Sequence, residues 1–83
     1  MQKQKPQLEL VRGIAELLCD RPEMISLSDT IDERGVLIRL LVSADDLPRM
    51  IGKGGENAMA IRQLLRALGT KNNAHYAFKV DAQ

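Results

Sequence analysis

The nine residues Arg49-Met50-Ile51-Gly52-Lys53-Gly54-Gly55-Glu56-Asn57 set the reading of the whole chain. Three of the four residues from Gly52 to Gly55 are glycine. Core packing does not explain them, because glycine adds no buried side chain and costs extra backbone entropy on folding. What glycine does allow is an unusual backbone angle and close approach of a ligand to the main chain. A helix beginning at Glu56 adds aligned N–H groups and partial positive charge, and Lys53 adds a full charge. The combination suits a phosphate. Two familiar phosphate loops do not fit. A Walker A loop needs four spacer residues and then Gly-Lys-Ser/Thr. The dinucleotide pattern G-x-G-x-x-G finds Asn57 at its third glycine, and it should follow a strand rather than a helix. A plain flexible linker accounts for the glycines but not for the flanking Ile51 and Lys53. What remains is G-x-x-G, Gly52 to Gly55, between two helices.

Outward from the loop, the preceding helix is short. Asp45 or Asp46 can cap it, and Pro48 must lie in its first turn, since deeper it would cost about 3 kcal/mol. It ends at Gly52. The following helix runs from Glu56 to Leu68, with Ala58, Ile61, Leu64, Leu65 and Leu68 inward and Gly69 as its C-terminal cap. Lys71-Asn72-Asn73 reads as a polar loop, and Tyr76, Phe78 and Val80 alternate as a last strand. Upstream, Leu8, Val11, Ala15 and Leu18, widened by Leu10, Ile14 and Leu17, repeat with the helical period and predict a helix over 7–19. Pro22 ends it. Met24 to Ile31 alternates with period two, Asp32-Glu33-Arg34-Gly35 is a tight turn, and Val36 to Ser43 is a second strand paired as an antiparallel hairpin. In that strand Val36, Ile38, Leu40 and Val42 share one face, and Leu37, Arg39 and Leu41 the other. The order is α-β-β-α-α-β.

Length and charge bound the function. At 83 residues the chain supports one domain with a thin core. Its 45% apolar and 28% charged content suits a folded domain. No apolar run approaches the ~18–20 residues of a membrane span, and the N-terminus lacks the apolar core of a signal peptide. One cysteine, Cys19, and one histidine, His75, make neither a disulfide nor a structural zinc site, and the expected compartment is the cytoplasm. Tyr76 and Phe78 are the only aromatic residues, which argues against folds that stack bases on exposed rings. Net charge is +1, yet residues 49–71 carry +4 and the remainder −3, so the positive charge is gathered around the glycine loop.

The element order and Ile51-Gly52-Lys53-Gly54-Gly55, with Ile61 spaced behind it, resemble the KH domain, whose GxxG loop clamps the backbone of about four nucleotides. The order is that of the bacterial type II arrangement. The resemblance implies an α+β fold with three helices on one face of a three-stranded sheet, in a KH domain spanning 7–81 after a flexible tail at 1–6. By size the chain is similar to the stand-alone bacterial type II KH proteins of the KhpA family. That likeness implies binding of single-stranded RNA and RNA-chaperone-like action in the cytoplasm. It also implies homodimerisation or pairing with a second, KhpB-like KH protein, and a link to cell-wall homeostasis and cell shape. The residues expected at the RNA are Ile51, Gly52, Lys53, Gly54 and Gly55, with Arg62 and Arg66 on the next helix and Lys71, beside the Asn72 and Asn73 side chains, in the variable loop.

Other residues read more plainly. Cys19 near a helix end is packing rather than a nucleophile, His75 a sheet-surface residue, and Asp45-Asp46 a cap rather than a metal site. No nucleophile, base and orienting group can be named together, so no enzyme, cofactor or metal is expected. The alternative to an RNA-binding module is a protein–protein adaptor that dimerises with another KH protein. Leu37 and Leu41, off the core face of their strand, are the candidate patch for it.

Overall fold

Strand β2, Gly35–Val42, is apolar on both faces, and it forms the middle of the sheet. The computed structural model, which describes residues 5–83, pairs it on one side with β1, Ser26–Asp32, and on the other with β3, Tyr76–Ala82. The β1–β2 pair is antiparallel, closed by the tight turn, where the Arg34 N–H donates to the Asp32 carboxylate at 2.8 Å. The β2–β3 pair is parallel, from Val36 against Tyr76 to Val42 against Ala82. A parallel pair needs a crossover. Here it is made by α2, Leu47–Ile51, and α3, Glu56–Asn72, joined by a 3₁₀ turn at Lys53–Gly55.

With α1, Pro6–Leu18, these helices cover one face of the sheet, giving the α-β-β-α-α-β order and the α+β architecture expected. The core is thin: Val11 and Ala15 from α1, Ile38, Leu40 and Val42 from β2, Met50 from α2, Ile61 and Leu65 from α3, and Phe78 from β3. Burying one such large side chain is worth about 1.5–3 kcal/mol. The other face of the sheet, with Leu37, Arg39 and Leu41 on β2, carries no helix.

The structure corrects the sequence reading at several points. Of the tail expected over 1–6, residues 1–4 lie outside the described residues, while Lys5 is the N-cap residue of α1 and Pro6 its first residue. Met24 belongs to a 3₁₀ turn, Pro22–Met24, so the first strand starts at Ser26. Ile31 is 69% exposed, because it lies at the far end of β1. The inward position one step earlier is taken by Asp29, held by Lys5 at 3.2 Å and Gln7 at 3.1 Å. Leu17 is 87% exposed and Leu64 50%, since each helix rests on the sheet along a stripe narrower than its apolar content.

Gly69 does not end the last helix. It is buried within α3, and a Cβ there would stand 2.5 Å from the Ala74 carbonyl oxygen, so glycine is needed for the returning chain to pass. The helix runs on to Asn72, and Asn73 caps it in the left-handed conformation that asparagine tolerates. Lys71 therefore lies in a helical turn, not in a loop. Among the described residues no helix is long and apolar enough to cross a membrane.

Candidate nucleic-acid interface

The short helix α2 is fixed at its start by a buried carboxylate. Asp46, 2% exposed, occupies the N-cap position expected of it but makes no capping bond. Its carboxylate accepts instead from the backbone N–H groups of Asp20 and Arg21, both at 3.0 Å, and from the Ser43 hydroxyl at 3.0 Å. The Asp20 N–H contributes most to holding the Asp46 carboxyl below the usual carboxylate range, against the opposing effect of burial. Arg49, one turn on, pairs with the Asp20 carboxylate at 3.0 Å and donates to the Leu18 carbonyl at 3.0 Å. This positive charge, part of the basic segment in sequence, is thus committed to the end of α1. Cys19 sits in the same junction, where burial first, and then the nearby Asp46 charge, push its thiol pKa up. A thiol so placed is a poor nucleophile.

The other end of α2 is open. Gly52 has φ 79°, and a Cβ on it would lie 2.8 Å from the Asn57 side chain. Asn57 fills that space and donates from Nδ2 to the Arg49 carbonyl at 2.7 Å, tying the first turn of α3 back to the last turn of α2. The Gly55 N–H returns to the Gly52 carbonyl at 3.0 Å, and the Glu56 N–H to Lys53. The N–H groups of Lys53 and Gly54 have no acceptor among the described residues. Open space surrounds the Cβ position of Gly54. Lys53 is exposed and Ile51 half-buried behind it. Main-chain donors without an internal acceptor and the Lys53 ammonium group thus lie together in an exposed loop, a chemistry that suits an anion.

From this loop α3 leads into a groove of about 750 Å³. One wall is α3, with Arg62, Arg66, Thr70 and Asn73; the other is the first part of β3, with Tyr76, Ala77 and Phe78. The helical rise places Arg62 and Arg66 about 10 and 16 Å along the axis from Gly55. Arg62 reaches across, its guanidinium 3.4 Å from the Phe78 carbonyl and 5.8 Å from the centre of the Phe78 ring. Lys71 is exposed but stands outside the groove lining, because it lies roughly 140° around the helix from Arg66. Of the variable-loop residues expected at the RNA, Asn73 lines the groove and Lys71 and Asn72 do not. Of the sequence-predicted site residues, Arg62 and Arg66 line this groove, while Ile51, Gly52, Lys53, Gly54 and Gly55 stand apart from it at the start of α3.

Two contributors escaped the sequence reading. Asn57 was visible only as the residue that spoils a dinucleotide pattern, and its role as a wedge depends on the turn that brings Arg49 beside it. The strand wall depends on the parallel pairing of β3, for which the sequence carries no local signal. Among the described residues no group of three or more histidine, cysteine or acidic side chains is placed to hold a metal ion.

Comparison with known proteins gives one consistent family. The family model described as "KhpA/KhpB, KH domain" matches residues 8–80. The protein named RNA-binding protein KhpA of Clostridium perfringens is 38% identical over 65 residues, covering 78% of this chain and 87% of its own length. Its namesake in Clostridium acetobutylicum is 31% identical over 72 residues, 87% of this chain and 96% of that protein. The one in Treponema pallidum is 33% identical over 72 residues, 87% and 90% of the two chains.

Proposed function

Because the chain belongs to the KhpA/KhpB KH-domain family, we propose that it binds single-stranded RNA along the path from the Gly52–Gly55 loop into the groove between α3 and β3. The observation that carries this reading is the pair of N–H donors at Lys53 and Gly54 without an internal acceptor, about 10 Å along α3 from a groove lined by Arg62 and Arg66. Its relatives bear the name RNA-binding protein, which describes binding rather than catalysis.

Phosphates sit on the loop amides and Lys53, and further phosphates meet the two arginines. Main-chain contacts to phosphate carry no sequence information, and little aromatic surface is available for base stacking. One domain therefore binds weakly and with broad sequence tolerance. Tight binding comes from a second KH domain, which raises the effective concentration. On this reading the protein acts in the cytoplasm as an RNA-chaperone-like factor, as a homodimer or with a KhpB-like partner, in post-transcriptional control linked to the cell wall and cell shape.

Titrating the protein with short unstructured RNA at several salt concentrations tests the binding mode. With Lys53, Arg62 and Arg66 each neutralising a phosphate, log K against log[salt] slopes by roughly −2. Nanomolar, salt-insensitive binding to one defined sequence contradicts it.

The adaptor reading keeps one specific observation. Leu17 is 87% exposed on α1, and Gly13, one turn before it, has open space around its Cβ position. Leu37 and Leu41, the patch expected from sequence, are half-buried and separated by Arg39. A dimer of the adaptor kind therefore uses the outer face of α1, and a sedimentation series across micromolar concentrations, alone and with a KhpB-like partner, reports it. A strict monomer in every mixture removes that reading.

A further inference from the structure

The uncovered face of the sheet is not uniformly polar. Strand alternation puts Arg39 of β2 and Lys79 of β3 on it, and the register sets them directly opposite one another, with Ser28 of β1 on the other side of Arg39. Like charges directly opposite across a sheet repel. No carboxylate among the described residues comes within 4.0 Å of either cation, and Asp81 stands one row away, opposite Leu41. Two facing cations without a counter-charge, on a face that no helix covers, suit an anion from outside the chain.

The second observation is continuity. A shallow cleft of about 350 Å³ opens on the sheet beside the β1–β2 turn, lined by Leu37, His75 and Ala77 and by Arg34, which pairs with Asp32 in the same lining at 3.6 Å. His75 and Ala77 also line the groove between α3 and β3. The two concavities meet over the start of β3. A strand leaving the groove there passes His75, whose ring can stack on a base, and reaches Leu37 and then the Arg39–Lys79 row.

We propose that bound single-stranded RNA does not end in the groove: it turns over the start of β3 at His75 and Ala77 and crosses the open sheet face, where Arg39 and Lys79 take its phosphates. This rests on the RNA-binding reading above and extends the site beyond the loop's nucleotides. A second copy of the chain is a poorer occupant. Symmetric pairing through this face would bring Arg39 and Lys79 of one chain towards the same cations of the other.

The test compares a five-residue with a fourteen-residue oligouridine by fluorescence anisotropy, using the full chain and the Arg39→Gln/Lys79→Gln variant. Both side chains are exposed, so the melting temperature stays at the wild-type value. The variant is expected to lose fivefold or more in affinity for the long RNA and less than twofold for the short one. The salt slope on the long RNA falls by about 1.4, two phosphates' worth, and stays the same on the short one. In amide NMR spectra, Arg39, Lys79 and Leu41 shift with the long RNA alone. Equal loss on both lengths, no loss on either, or a change in self-association with RNA affinity intact overturns the proposal. Loss of binding on changing the loop at Lys53 and Gly54 is the separate test of the groove. If that change leaves affinity for the short RNA intact, the underlying reading fails, whatever the sheet face does.

Discussion

The two ends of α2 lie only five residues apart and treat their polar groups in opposite ways. At the Asp46 end two charges have internal partners: Asp46 holds two backbone N–H groups and the Ser43 hydroxyl, and Arg49 holds Asp20 and the Leu18 carbonyl. At the Gly52 end the N–H groups of Lys53 and Gly54, both exposed residues, have no acceptor among the described residues. A buried polar network that is fully satisfied fixes the placement of α1 and α2 and leaves nothing for a ligand. Backbone donors left open at the surface contribute nothing to the fold and are available to an anion. Satisfaction of the polar groups, rather than charge alone, separates the structural end from the binding end. Both ends contain basic residues: Arg49 is engaged by Asp20 and the Leu18 carbonyl, whereas Lys53 has no ion pair among the described residues.

The largest expected effect falls on the open end. Changing Lys53 and Gly54 both to aspartate puts carboxylates where phosphate oxygens need donors, and RNA affinity falls at least tenfold. Circular dichroism stays as in the wild type because both positions are exposed, and melting falls by only a few degrees, the cost of an aspartate at the φ of 63° that Gly54 adopts. If affinity stays within twofold, the two ends do not differ in the way described.

Asp46→Asn attacks the closed end and reverses the pattern. It lowers Tm by roughly 5–10 °C through the lost carboxylate bonds, while RNA affinity on the folded protein stays within twofold. The effect depends on pH. The folded-state pKa of Asp46 lies below its unfolded value of about 3.9, so its contribution is complete above that value and is lost as pH falls through the folded one. Thermal melts from pH 7 down to pH 2 should therefore show the gap between wild type and variant closing only in the acid range. A gap that is constant with pH contradicts the assigned role.

Asn57→Ala gives the smallest and most mixed result, since Asn57 stands behind the open end but bonds internally. Losing its bond to the Arg49 carbonyl costs about 1 kcal/mol of stability in urea melts. It also loosens the loop, so affinity for RNA drops about threefold to fivefold. An effect on stability with none on binding shows that the loop holds its shape without the wedge.

Much of this contrast was legible before the structure. The element order followed from two periodicities, 3.6 in the helices and two in the strands, and the glycine cluster marked the loop because nothing in core packing calls for it. The partners were not legible. Arg49 counted only as part of the basic segment and Asp46 as a helix cap, and both proved to serve the α1–α2 junction, because long-range pairing leaves no trace in local sequence. Gly69 read as a helix stop by the same local logic. Its actual reason is the Ala74 carbonyl, which the left-handed turn at Asn73 brings back beside it. Lys71 was misplaced as a consequence, since the helix that should have ended before it carries it around and away from the groove.

The most direct test of the open end is an amide NMR titration of the full chain with a tetranucleotide of unstructured RNA. The account predicts the largest shifts at Lys53 and Gly54, followed by Arg62, Arg66 and the Tyr76–Phe78 edge, with Asp20, Arg21 and Asp46 unmoved. Largest shifts at the Asp46 junction, or along the Leu17 face of α1 with Lys53 and Gly54 silent, would contradict it.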